Sequence, residues 1–198
     1  MANSVVDLRC PGCGGAVSIA DKECVYCGRP VVITTFNSVY EMPLSEVNRY
    51  AATYRSELER YPNNAELNNS IAMCYLKLKL YDKAQIAFEK AFPESFDNSE
   101  TFFYAAVCLL KGKKAFLAAR VDIDKAVEYI NTAISIEPRG IYYYFLAYIK
   151  YDYFERKYLN TTPNYSECAQ KAVEIGTSEC DKKMLFDILG VSKPGVLD

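Results

Sequence analysis

The sequence predicts a mostly α-helical chain whose short helices pair antiparallel, preceded by a small β module stapled by a metal ion. Three observations carry this reading. Four of the eight cysteines fall within residues 10–27 as two C-x-x-C pairs. From residue 44 onward the apolar residues recur at spacings of three and four, the signature of one-faced helices. The breaks between those stretches are short and carry Pro, Asn and Gly, the residues that end regular structure.

Composition removes most catalytic classes before any motif is considered. Of 198 residues, 51% are apolar and 24% charged, which is ordinary for a globular chain. The 23 basic and 25 acidic side chains sum to −2, with no basic excess to track a nucleic-acid backbone. There is no His and no Trp. Without His, a Ser-His-Asp or Cys-His nucleophile pair is impossible, and so is an H-E-x-x-H zinc hydrolase. Neither G-x-x-x-x-G-K-[ST] nor G-x-G-x-x-G occurs. An acid–base enzyme built on Asp and Glu has no supporting motif. No run of about 18 apolar residues marks a membrane span. The first residues, Met-Ala-Asn-Ser-Val-Val-Asp-Leu-Arg, lack the basic segment and long apolar run of a secretory signal. The expectation is a cytoplasmic protein with reduced thiols, whose cysteines need a reading other than disulfides.

The first four cysteines supply that reading. Cys10-Pro-Gly-Cys13 is followed, after ten residues, by Cys24-Val-Tyr-Cys27. Each C-x-x-C turn lets two thiolates grip one ion, and two such turns close a tetrahedral S₄ site that suits Zn²⁺, with iron the lesser choice. A redox dithiol pair is the alternative. Gly12 lies inside the first turn, and Gly14, Gly15 and Gly28 follow the turns, where backbone must approach the ion. Residues 5–9, 16–20 and 30–35 read as short strands, the last β-branched. Over residues 7–34 this resembles a zinc ribbon, in the small form common at the N-termini of bacterial proteins. The resemblance implies one structural Zn²⁺ held by Cys10, Cys13, Cys24 and Cys27, with no coordination position left for a catalytic water. A unit this small lies below the roughly 40 residues that usually fold unstapled. Its Arg9, Lys22 and Arg29 balance Asp7, Asp21 and Glu23, so contact with nucleic acid is not favoured.

Residues 36–43 read as a linker between the ribbon (1–35) and a helical domain (44–198). A helix starting after Pro43 runs to about residue 60 and is broken by Pro62, Asn63 and Asn64. Leu67, Ile71 and Tyr75 mark a helix over 65–79, and Tyr81, Ala84, Phe88 and Ala91 mark another over 82–92. The turn between them is short enough to force an antiparallel pair. The run Ile71-Ala72-x-x-Tyr75, then Ala84, Phe88 and Ala91, resembles a tetratricopeptide repeat (TPR) over residues 65–98, with Phe96 where the closing Pro usually stands. A second unit carries Ala105 or Ala106 and Leu109, then Ala126, Ile130, Ala133 and Pro138. Ala106 to Ala126 spans 20 residues against 12 from Ala72 to Ala84, so about eight residues are inserted around residues 111–114. A third unit starts at Gly140, with Ala147 and then Ala169 or Ala172, and carries an insertion around residues 160–163. A last helix over 179–189 is capped by Ser178 and stopped by Gly190. The fold implied is a TPR-like array of antiparallel helix pairs (an α-solenoid) behind a β zinc ribbon. An irregular helical bundle is the alternative.

Such arrays bind partners on a face lined by first helices. Asn69, Met73 and Lys77 are expected to face outward there. The helix over 141–159 carries Tyr144, Tyr148 and Tyr151 along one side, and too many tyrosines for one buried face. Tyr is favoured at interfaces, so these three are the second expected contact surface. Lys111, Lys113 and Lys114 read as a solvated turn. Cys74, Cys108, Cys168 and Cys180 read as small apolar fillers. The function expected is a non-enzymatic adaptor or scaffold that binds a peptide or helix of a protein partner. The alternative is a nucleic-acid-associated ribbon protein whose repeats recruit a protein.

Overall fold

The computed structural model describes residues 7–197, which form two compact units, one ending at Ser95 and the other starting at Phe96. The first opens with β1 (Asp7–Arg9) antiparallel to β2 (Ala16–Ser18), with Leu8 opposite Val17 and both buried. Four helices follow: α1 (Asn37–Tyr40), α2 (Leu44–Arg60), α3 (Ala65–Lys77) and α4 (Tyr81–Ala91). The second unit contains α5 (Ser99–Leu109), a 3₁₀ turn (Ala115–Leu117), α6 (Arg120–Ile136), α7 (Gly140–Ile149), α8 (Tyr165–Ile175) and α9 (Glu179–Leu189). The axis of α7 continues through a π-helical turn, Lys150–Phe154, and a 3₁₀ turn, Glu155–Lys157. A final 3₁₀ turn spans Gly195–Leu197.

Local chemistry sets the helix boundaries. Pro43, with φ fixed near −60°, stands at the cap of α2. Asn64 accepts from the Leu67 N–H at 2.9 Å, and Asn98 accepts from the Glu100 N–H at 3.1 Å, so α3 and α5 each begin at an asparagine cap. Asn164 and Glu167 form a reciprocal capping box at α8. Ser178 caps α9 as expected, and Gly190 ends it with φ 67° in the left-handed region.

The helices pair as α3 with α4, α5 with α6, and α7 with α8. Alanines sit in the crossings. Ala72, Ala84 and Ala91 are fully buried in the first pair, Ala105, Ala106, Ala126 and Ala133 in the second, and Ala147 and Ala172 are buried in the third. A methyl side chain lets two axes approach closely and packs without rotamer loss. Gly140 takes this further: a Cβ there would lie 2.1 Å from the Gly176 carbonyl oxygen. A polar fastening joins the start of α5 to the loop before α7. Arg139 bridges Glu100 and Glu137, each at 2.7 Å, and Ser99 bonds both Glu137 and the Tyr142 hydroxyl.

Within the linker read over residues 36–43, Asn37–Tyr40 form α1, with Phe36 and Val39 fully buried. Their apolar side chains need cover, and the ammonium of Lys77 on α3 bonds the Tyr40 carbonyl and lies over the Tyr40 ring. One expectation is corrected: residues 30–35 are not a strand, beyond a single bridge between Glu23 and Pro30. Side chains of the helices take their backbone groups instead. Tyr50 donates to the Pro30 carbonyl at 3.1 Å and Tyr54 to the Val31 carbonyl at 2.9 Å. Ser70 accepts from the Ile33 N–H at 3.0 Å and donates to the Ile33 carbonyl at 3.3 Å. With Val31 and Ile33 themselves buried, the β module is packed against α2 and α3.

Ser70 therefore anchors the chain leaving the module. Replacing Ser70 with Ala orphans a buried N–H, and the expected loss is about 1–3 kcal/mol of unfolding free energy. Denaturant titration beside the exposed control Ser166→Ala measures it, and matching midpoints would remove Ser70 from the anchorage.

Candidate metal centre

The two C-x-x-C turns are geometric copies. In the first, the Gly14 N–H donates to the Cys10 carbonyl at 2.9 Å and the Cys10 N–H to the Gly15 carbonyl at 2.8 Å. In the second, the Gly28 N–H donates to the Cys24 carbonyl at 2.8 Å and the Cys24 N–H to the Arg29 carbonyl at 2.8 Å. Gly14 and Gly28 hold φ of 81° and 68°, a region that side-chain-bearing residues rarely occupy. The expected role of glycine after each turn is thus met at these two positions.

The turns bring all four sulfurs within 4.8 Å of one another. Cys10 and Cys27 Sγ are 3.6 Å apart, and Cys13 and Cys24 Sγ are 3.7 Å apart. A tetrahedron with about 2.3 Å from centre to sulfur has edges of about 3.8 Å, so the spacing fits one ion. Cys10 and Cys24 are buried while Cys13 and Cys27 are exposed, so the cluster has a covered and an open side. The Gly12 N–H donates to Cys10 Sγ at 3.3 Å, the contact that steadies a thiolate.

Cys24 and Cys27 do not ionise alike. Burial opposes ionisation of Cys24, but the N–H groups of Tyr26 and Cys27 and the thiols of Cys10 and Cys13 outweigh it and bring Cys24 down to about 7. At Cys27 the Arg29 N–H favours the thiolate, yet burial and the three neighbouring thiols push it up to about 12. Like charges at this distance ionise in turn rather than together. A divalent cation removes that restriction, so the donor set fits a thiophilic metal.

The expected contact surfaces are placed differently. Asn69 and Met73 are 6% and 0% exposed, and Tyr144 and Tyr148 are 3% and 1% exposed. A side chain without solvent offers no docking surface, and these four are corrected from surface to interior. On α3 the reason is crowding, since α1, α2 and α4 all pack on it. On α7 the reason is α9, whose Phe186 meets the rings of Tyr144 and Tyr148 edge-on at 6.3 and 5.4 Å. The Tyr144 hydroxyl donates to the Leu197 carbonyl at 3.0 Å. Lys77 is half-buried and engaged with Tyr40, and Tyr151 is half-exposed with its ring against Tyr165. Cys74, Cys108 and Cys168 are buried as fillers should be, whereas Cys180 is exposed. Sequence reasoning missed α9 as the cover for the tyrosines, although Leu185, Phe186, Ile188 and Leu189 supply the apolar face it needs.

Two solved structures share the fold. A MamA RS-1 ArsTM double mutant superposes with a TM-score of 0.55, is 16% identical, and the match covers 72% of this chain and 75% of that one. MamA 41-end from Desulfovibrio magneticus RS-1 gives a TM-score of 0.54 at 17% identity, covering 72% and 76%. At this identity the likeness shows the fold alone, and that fold is a TPR-like helical array. No family model matches the chain, and no curated protein matches it. A four-cysteine cluster in a small β region ahead of TPR-like helices is the arrangement of a zinc ribbon joined to a TPR-like domain.

Because Tyr148 is buried, Tyr148→Ser is expected to destabilise by about 3 kcal/mol, the usual cost of truncating a core aromatic. A thermal melt near that of the parent would return Tyr148 to the surface.

Proposed function

We propose that the protein is a cytoplasmic, non-enzymatic adaptor. Its Cys10, Cys13, Cys24 and Cys27 hold one structural Zn²⁺, and its helical array binds a protein partner. The carrying observation is the continuity between the cysteine cluster and the array. The chain leaving the cluster is clasped by Tyr50, Tyr54 and Ser70, and Arg29 pairs with Glu46 of α2 at 3.0 Å. Repeat arrays need their ends covered, and a stapled β module clasped to α2 and α3 meets that need. Four protein thiolates complete a tetrahedral shell, so the ion supplies charge neutralisation and rigidity rather than chemistry. The likeness to MamA supports a protein-interaction role, because TPR-like arrays present extended surfaces to other chains. The balanced charge of the ribbon favours a protein partner over nucleic acid.

Two measurements test this reading. Purified protein is expected to contain one zinc per chain and to lose it as pH falls. The sign follows from the ligands: only thiolates bind, and protonation competes with the metal. Cys24 protonates below about 7 and Cys27 is proton-bound at any neutral pH without metal, so binding releases protons. Metal content after dialysis from pH 8 to pH 4 should decline monotonically, with the melting temperature falling alongside. Protein purified without zinc or iron, with a melt indifferent to chelator, overturns the metal. The second measurement is affinity capture from native lysate with and without nuclease. A protein partner recovered at near-equal ratio after nuclease supports the adaptor, and recovery abolished by nuclease moves the function to nucleic acid.

A further inference from the structure

Beyond Gly190, which ends α9, the chain lies along the tyrosine stripe of α7. Residues 192–195 line a cavity of about 370 Å³ together with Tyr148 and Tyr151. Further on, Leu197 reaches Tyr144, whose hydroxyl donates to the Leu197 carbonyl at 3.0 Å. Residues 191–194 take no regular structure, and Gly195–Leu197 form a 3₁₀ turn closed by the Leu197 N–H on the Pro194 carbonyl at 3.0 Å. Pro194 has no amide to offer a neighbour and disfavours a helical Lys193, so this tail is built to lie extended.

The two covers of α7 differ in kind. Helix α9 buries Leu185, Phe186, Ile188 and Leu189, with the Phe186 ring edge-on to Tyr144 and Tyr148. Along the tail, Ser192, Gly195 and Val196 are exposed and Val191, Lys193 and Pro194 are half-buried. Leu197, at 5% exposure, is the one buried residue of 191–197. Lys193 adds an interaction of its own. Close packing is the rule inside a folded unit, and the cavity shows that the tail does not fill the surface it covers. Segments with few buried apolar groups open at a fraction of the global unfolding cost. Helix α9 therefore belongs to the core, and the tail is a strap laid over it.

We propose that residues 191–197 are a built-in competitor for the groove along α7, and that a protein partner enters this groove as an extended peptide with a leucine-like anchor. The tail shows what the groove accepts: an apolar side chain in the seat of Leu197 and a backbone carbonyl for the Tyr144 hydroxyl. A segment tethered this closely acts at an effective concentration of about millimolar, so a free peptide with only these two features loses to it. A partner that also fills the cavity beside Tyr148 and Tyr151 gains contact that the tail lacks, and displaces it. The strap thus screens out weak ligands. This inference rests on the adaptor reading and adds to it the conformation of the partner and an autoinhibitory contact.

The test uses the intact, zinc-loaded chain and a fluorescein-labelled, C-terminally amidated peptide, Val-Ser-Lys-Pro-Gly-Val-Leu, the sequence of residues 191–197. Leu197→Asp removes the anchor and frees the groove, so by fluorescence anisotropy it is expected to bind the peptide at least about tenfold tighter than the parent does. The exposed control Val196→Asp is expected to bind like the parent. Adding Tyr144→Phe to Leu197→Asp should weaken binding about fivefold. Equal binding by the parent and Leu197→Asp, or no saturable binding to a Leu197→Asp variant that melts cooperatively, overturns the proposal. Should Leu197→Asp fail to fold, amide exchange in the parent decides. Unlabelled peptide at millimolar concentration should speed exchange at Leu197 and leave Phe145 inside α7 unchanged, and Leu197 protection that ignores the peptide overturns the strap. A parent dimer in sedimentation that is lost in Leu197→Asp would seat the tail of a second copy in the groove and overturn it as well. Zinc content and lysate capture are read independently, so this inference and the adaptor reading fail separately.

Discussion

Four thiols held within 4.8 Å of one another set the terms for the first unit. The strands beside them are three residues each, too short to hold a sheet alone. The two glycine-ended turns fix where the sulfurs point, and the sulfurs fix where the chain leaves the second turn. That exit places residues 30–33 against Tyr50, Tyr54 and Ser70. Tyr54 is buried with its phenol held well above the ordinary range by loss of water, so it remains a neutral donor to the Val31 carbonyl. Geometry at the cluster is thus passed to α2 and α3 through the backbone groups of residues 30–33 and through the buried Val31 and Ile33 side chains.

That route explains why the chain between module and helices is ordered. A linker is mobile when nothing buries it. Phe36 and Val39 are spaced by three, the spacing of one face of a helical turn, and both are fully buried. Lys77, placed by periodicity on the outer side of α3, closes over α1 instead. Its ammonium meets a carbonyl and a ring face, and its stem covers apolar surface on the way.

The legible parts of the fold were those written in local spacing. The paired C-x-x-C turns, the Asn and Ser caps, and the alanines at Ala72, Ala84, Ala126 and Ala133 each act within a few residues or across one helix pair. Their outcome follows from sequence distance alone. The illegible parts depend on a third partner. Whether Asn69 faces water depends on α1 and α2, and whether Tyr144 and Tyr148 do depends on α9, more than thirty residues downstream. An aromatic stripe identifies a surface that must be covered, but the stripe itself does not say whether the cover is another chain or the same one. Here it is the same one. Residues 30–35 failed for a related reason: β-branched residues favour extended backbone, yet a strand also needs a neighbour with free ladder groups. The neighbours these residues meet are helices with hydroxyls.

The insertions that loosen the repeat pattern are themselves organised by α7. A regular repeat turns from first to second helix in a few residues. The longer turn after α5 must satisfy its own amides or leave them to water. Lys111 and Gly112 take positive φ to reverse the chain, and the Ala115 and Phe116 amides are satisfied by Tyr148 and Asp152. Asp152 reaches that position because the helix widens into a π turn at Lys150–Phe154, which shifts the register of the side chains that follow. A carboxylate buried this deeply needs a compensating charge, and Arg156, one turn on, supplies it at 2.5 Å. The irregularities of this unit, inserted loop, widened helix and buried ion pair, are therefore linked consequences of one solution for a long turn. They lie together because α7 and the turn that continues it are what fasten them.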